Sequence, residues 1–230
     1  MAYTLLIGNK NYSSWSLRPW LVLTEARIPF TERLVSLRSD PAKTARFGAL
    51  PAGRVPCLEH DGLLVWDSLA ICEYLAERHP GLWPADAGAR AWARSACAEM
   101  HSGFGALRSE MSMDVRARRP QRRRSPALLA DLARVERLWT ETRARFGAGG
   151  PLLFGGFTIA DAFYAPVAFR LRTYGVALAG AAGQYLSALL ALPGMKAWEA
   201  AAQADERLAD HELDLLYPDD PPAPPARGSA

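Results

Sequence analysis

At 230 residues the chain is longer than one typical domain and fits two small ones, and with half of its residues hydrophobic and 22% charged it holds ample apolar material for a packed core, which excludes global disorder. A formal net charge of +3 is too small to imply a nucleic-acid or membrane partner. No apolar stretch approaches the roughly 20 residues that span a bilayer, and Met1–Lys10 has no basic segment leading into an apolar signal core, so a cytoplasmic protein is expected. Cys57, Cys72 and Cys97 are odd in number and contain no CxxC pair, which argues against a disulfide framework or a metal site and for reduced, mostly buried thiols.

Tyr3 to Gly8 reads as a buried strand running into a polar loop, Asn9 to Ser14. Leu17, Trp20, Leu21 and Leu23 then recur at helical spacing. Ser14 or Ser16 is the expected N-cap, because Pro19 is best tolerated near a helix start. Phe30 to Leu37 is a second strand, and Asp40-Pro41 opens a short helix over Pro41 to Phe47. Val55–Glu59 and Leu63–Trp66, separated by His60-Asp61-Gly62, predict an antiparallel hairpin. Asp67-Ser68 caps a helix over Leu69 to Arg78.

The order βαβ, short helix, ββα is thioredoxin-like: parallel strands need a crossover helix, and a hairpin closes the sheet. Beyond Pro84 the texture changes to alanine-rich helical segments, Ala89 to Ala117, Pro126 to Phe146, Ile159 to Tyr174, Gln184 to Leu192 and Gly194 to Ala204, with no strand signal. The expected organisation is a thioredoxin-like domain over 1–80, an all-helical domain over 89–217 and a disordered tail over 218–230.

Three features point to an anion-binding cleft in the first domain. Asn11-Tyr12-Ser13-Ser14-Trp15-Ser16 is a hydroxyl-rich loop at a helix N-terminus, where unpaired amides and the helix dipole favour a negative ligand atom such as a thiolate. Val55-Pro56 at a strand start suits a cis peptide that leaves the Val55 backbone open to a peptide ligand. Asp67 and Ser68 together suit an amino-acid head group, the carboxylate for its ammonium and the hydroxyl and amides for its carboxylate. Taken singly, each is also an ordinary cap or edge residue.

In the second domain Thr158-Ile159-Ala160-Asp161 reads as a capping box with a folding role. The run Arg116, Arg118, Arg119, Arg122, Arg123 and Arg124 suits a solvated interhelical loop better than a nucleic-acid patch. Met100, His101, Phe104, Met111 and Met113, all expected on the first long helix, supply flexible apolar side chains for a pocket or for core.

In combination, Ser13-Ser14-x-Ser16-x-Arg18, Val55-Pro56, Asp67-Ser68-x-Ala70-Ile71-x-x-Tyr74-Leu75 and Thr158-x-x-Asp161 resemble the cytosolic glutathione S-transferases over nearly the whole chain. The serine motif looks most like the zeta class, with Trp15 standing where zeta proteins carry a cysteine. The resemblance implies glutathione as cosubstrate without a metal. Ser13 would be the hydroxyl that stabilises its thiolate, with Ser14 or Tyr12 as rival donors. Val55 would pair with the cysteinyl part and Asp67 and Ser68 hold the γ-glutamyl group, with Arg54 or Lys43 as a further ligand contact. It also implies a homodimer and a small hydrophobic electrophile in a pocket that includes Trp15, Met100, His101 and Phe104. The alternative is the same fold kept as a non-catalytic binding or scaffold protein.

Overall fold

The computed structural model describes residues 2–34, 53–120 and 123–204. Strand β1 (Tyr3–Ile7) buries Tyr3, Leu5 and Ile7 while Thr4 and Leu6 stay half-buried, the period-2 pattern of a strand inside a layered fold. It pairs in parallel with β2 (Phe30–Leu34), Tyr3 opposite Phe30, and antiparallel with β3 (Cys57–His60), Leu5 opposite Leu58. Strand β4 (Leu63–Trp66) completes the order β2-β1-β3-β4. The β3–β4 turn is Asp61-Gly62, both at positive φ (52° and 80°), as a two-residue hairpin of matching twist requires.

Helix α1 (Ser14–Glu25) makes the crossover between the parallel strands, and its N-cap is Ser13, one residue before the earliest expected. Pro19 therefore lies inside the helix. Its missing amide withdraws the bond that the Trp15 carbonyl would otherwise receive, and burial of Leu17, Leu21, Val22 and Leu23 offsets that loss. The expected strand beyond Leu34, the short helix Pro41–Phe47, Lys43 and the tail 218–230 lie outside the described residues. Helix α2 (Ser68–Arg78) follows β4 and buries Ser68, Ile71, Cys72 and Leu75.

The remaining described elements are α3 (Ala87–Ser102), α4 (Gly105–Glu110), α5 (Pro126–Phe146), α6 (Ile159–Thr173), α7 (Gly180–Leu190) and α8 (Pro193–Ala204). The single helix expected over Ala89 to Ala117 is broken. Gly103 leaves the helical region, and Phe104 turns left-handed at φ 57° before the short α4, so Met111 and Met113 fall in irregular backbone. A side chain at Gly103 would place its Cβ 2.8 Å from the Glu99 carbonyl oxygen, which is why the turn needs glycine there.

Helix α6 is buried along almost its whole length and packs against α1, α3 and α7, so one continuous core runs through both halves of the molecule. Asp161 secures its start: the carboxylate accepts from the Thr158 amide (2.8 Å), the Thr158 hydroxyl (3.1 Å) and the Leu153 amide (3.1 Å). Helix α8 returns to α1. Trp198 Nε1 donates to the Lys10 carbonyl (2.7 Å), and the Lys10 ammonium lies 4.9 and 5.4 Å from the Trp20 and Trp198 ring centres. The arginine run serves as an interhelical strap: Arg118 bonds the Val115 and Ala117 carbonyls and Glu199, and the Arg119 amide donates to the Thr173 carbonyl. Arg122 lies outside the described residues. All three cysteines are buried and free.

Candidate functional site

A cavity of about 430 Å³ opens where the start of α1, the lead-in to β3, the start of α2 and the end of α3 meet, a size within the usual range for small-molecule sites. Its lining residues are Trp15, Arg54, Val55, Pro56, Trp66, Asp67, Ser68 and His101. Residues distant in sequence converge here because β1 and β3 are neighbours in the sheet and α2 starts straight from β4.

The Val55–Pro56 peptide is cis, as the sequence suggested, and both residues precede the β3 ladder. Asp67 is held at φ 73°, a conformation that a short polar side chain tolerates better than most. Its Oδ1 accepts from the Leu69 amide (2.8 Å) and caps α2. Its Oδ2 faces His101 Nε2 at 3.2 Å, and the side chain remains 45% exposed. Ser68 beside it is buried, with its Oγ accepting from Arg18 Nη1 (3.2 Å).

Arg18, in sequence only the last member of the serine motif, belongs to the site. Its guanidinium is buried and sits 4.3 Å from the Trp15 ring centre and 4.5 Å from that of Phe163. Nη1 reaches Ser68 and lies 3.4 Å from His101 Nδ1, while Nε has no partner among the described residues. Burial above all, then the neighbouring Arg108 and Arg170 guanidiniums, pull its pKa down to about 9. Arg108 lies 4.7 Å from the Trp15 ring centre, so two guanidiniums contact the indole and hold it as a wall of the cavity. Burial also lowers the His101 pKa; Asp67 opposes the shift and Arg18 and Arg108 add to it.

At the start of α1, Ser13 is half-buried and does not cap the helix with its side chain. Its Oγ instead donates to Ser16 Oγ (2.7 Å), which also accepts from the Gly8 amide (3.1 Å). An entrance with no side-chain cap leaves first-turn amides and the positive end of the helix dipole for an anion. Ser14 is buried, and neither serine is among the residues lining the cavity. Tyr12 is half-buried beside them.

Arg54, Val55, Pro56, Asp67 and Ser68, expected at a ligand cleft, and Trp15 and His101, expected in a second pocket, line one and the same cavity. Met100, on the buried side of α3, and Phe104, at the break that follows it, are 0% and 6% exposed and are not among the residues lining the cavity. Trp66, Arg18, Arg108 and Phe163 were missed. Trp66 had a signal, a large aromatic ring next to the Asp-Ser cap. Arg108 and Phe163 had none, since only packing brings α4 and α6 to Trp15 and Arg18.

Residues 12–78 match the model of the glutathione S-transferase N-terminal domain, and residues 90–201 match that of the glutathione S-transferase C-terminal domain. A probable maleylacetoacetate isomerase of Caenorhabditis elegans is 37% identical over 97 residues, 41% of this chain and 45% of that protein, so the match spans under half of the relative's length. A stringent starvation protein A homologue of Haemophilus ducreyi is 25% identical over 80% of this chain and 82% of its own. Among solved structures, a glutathione transferase homologue from Burkholderia with bound glutathione superposes with a TM-score of 0.67 at 25% identity, covering 88% of this chain and 99% of the other. With both domain models matched in order along most of the chain, and with the mixed four-stranded sheet leading into a helical half, the protein belongs to the glutathione S-transferase superfamily.

Proposed function

We propose that the protein is a glutathione-dependent transferase that ionises the thiol of glutathione at the start of α1 and presents it to a small hydrophobic electrophile. The observation that supports this reading is the cavity itself. It combines a carboxylate (Asp67), a serine at a helix start (Ser68), a backbone segment outside the sheet ladder (Val55) and a cation (Arg54), the four partners a γ-glutamyl tripeptide needs. Asp67 would take the ammonium, Ser68 the adjoining carboxylate, the Val55 backbone the cysteinyl unit, and Arg54 a remaining carboxylate. The sulfur would then lie toward the uncapped entrance of α1.

Ser13 is the proposed donor to the thiolate. Its hydroxyl is paired with that of Ser16, and the pair reverses polarity when Ser16 donates back and the Ser13 proton turns to sulfur. A thiol of pKa about 8.5 is only about 3% ionised at pH 7, and each unit of lowering stabilises the anion by about 1.36 kcal/mol. The thiol proton leaves to water, the thiolate forms a bond to the electrophilic carbon, and the electron pair moves onto the acceptor or departs with the leaving group. Trp15, held by Arg18 and Arg108, forms an apolar wall beside the attacking atom and is the residue expected to select the electrophile.

The test is the ultraviolet titration of bound glutathione thiolate together with conjugation of a chlorodinitrobenzene probe. Ser13→Ala is expected to raise the bound-thiol pKa and lower the rate about 10- to 100-fold at pH 6.5, with glutathione affinity little changed. A Ser13→Ala protein with an unchanged thiol pKa, beside a Tyr12→Phe protein with a raised one, would move the role to Tyr12. A homodimer is part of this reading, with β4 and its exposed Leu63 and Trp66 at an open sheet edge, and sedimentation should report twice the 25.1 kDa chain mass.

A further inference from the structure

Asp67 has two oxygens and two tasks. Oδ1 caps α2 by accepting from the Leu69 amide, and Oδ2 is met by His101 Nε2 from the helical half of the molecule. The histidine is fixed on its other side as well. An arginine carries donors only, so a hydrogen bond from Arg18 Nη1 to His101 Nδ1, 3.4 Å away, suits the tautomer with Nδ1 unprotonated and Nε2 carrying the hydrogen.

We propose that His101 is a positioning residue for ligand recognition: locked by Arg18 as the neutral Nε2–H tautomer, it aims the Asp67 carboxylate into the cavity without cancelling its charge, and so reserves that charge for the ammonium of an amino-terminal ligand group. The proposal rests on the glutathione reading and extends it. A neutral donor can share Oδ2 with an incoming ammonium or give way to it, because a carboxylate oxygen accepts more than one hydrogen bond. An imidazolium in the same place would neutralise Asp67 and put an Nδ1–H against the Arg18 guanidinium.

The surroundings hold the ring in the neutral form. From α1 it faces Arg18, from the α2 cap Asp67, and from α4 Arg108, while α1 and α6 contribute the uncharged rings of Trp15 (5.1 Å between ring centres) and Phe163 (6.3 Å). Partial burial above all, with the Arg18 and Arg108 guanidiniums, outweighs the pull of Asp67 and sets the balance against protonation. Sequence alone gave no hint of this role, since His101 and Asp67 come from different halves of the chain.

The experiment measures binding by calorimetry between pH 8 and pH 5 with S-methylglutathione, whose sulfur cannot ionise, and with its desamino counterpart, in which a glutaryl group replaces γ-glutamyl. Wild type should prefer the amine-bearing ligand at pH 8 and lose that preference on acidification, about tenfold per pH unit once below the ring's pKa. His101→Gln, which can still donate to Asp67 but cannot titrate, should keep the preference at both ends. An acid loss of the same steepness in His101→Gln, or an equal loss for the desamino ligand, overturns the proposal. If neither ligand binds wild type at any pH, the glutathione reading fails. The tautomer is then decided independently by nitrogen-15 NMR of the free protein, where a protonated Nδ1 at pH 7.5 overturns the inference and an Nε2–H ring supports it.

Discussion

Asp161 and Asp67 each secure the start of a helix, and of these two only Asp67 lines the cavity. Asp161 starts α6 in the helical half, fully buried, with both oxygens occupied by amides and a hydroxyl of its own neighbourhood. Asp67 starts α2 in the sheet-bearing half, where a positive φ turns its side chain so that one oxygen caps the helix and the other meets His101 at the cavity. The same residue type, as N-cap in one helix and as third residue of a capping box in the other, is spent wholly on folding at Asp161 and in part turned to the cavity at Asp67. What separates them is the number of acceptor positions left over once the helix has been satisfied.

The sharpest way to break this contrast is Asp161→Ala. It orphans two amides and a hydroxyl in the core and is expected to cost about 3 to 5 kcal/mol in urea unfolding, against about 1 kcal/mol for Asp67→Ala. Equal costs would erase the distinction. Next comes pH. Burial pushes the Asp161 carboxyl up to about 6 from an ordinary 3.8, against the pull of its hydrogen bonds. A raised acid binds its proton more tightly in the folded state. Asp161 therefore contributes added stability as pH falls from about 6 toward 4, and penalises the fold above 6. Relative to Asp161→Asn, wild type should gain up to about 3 kcal/mol between pH 7 and pH 4, and parallel stability curves would refute the assignment.

Asp67→Ala should show the complementary profile, with small loss of stability but glutathione affinity reduced about 10- to 100-fold by calorimetry. The smallest effect belongs outside both caps. Arg94→Ala removes an exposed ion pair with Glu73 and should cost less than about 1 kcal/mol, with no change in ligand binding.

Much of the architecture was readable from local chemistry. The Asp61-Gly62 turn, the cis Val55–Pro56 peptide and the Thr158–Asp161 box depend on residues adjacent in the chain, and these were anticipated. The start of α1 was expected at least one residue too late and the break at Gly103–Phe104 was not expected at all, because each is a competition between a weak local preference and the packing gained elsewhere. Pro19 inside α1 shows that burial of one helix face outweighs a lost backbone bond.

By itself, the amino-acid order determined the strand and helix sequence of the N-terminal half, the aspartate and serine at α2, and the superfamily they point to, since hydrophobic period, turn residues and caps act over a few positions. Tertiary structure alone decided that Arg18 would be buried beneath Ser68, that Arg108 and Phe163 would reach the site, and that His101 would share an oxygen of Asp67. Those contacts join α1, α2, α3, α4 and α6. No local rule relates side chains so far apart in sequence; they meet only because one continuous core brings the sheet and the helices together.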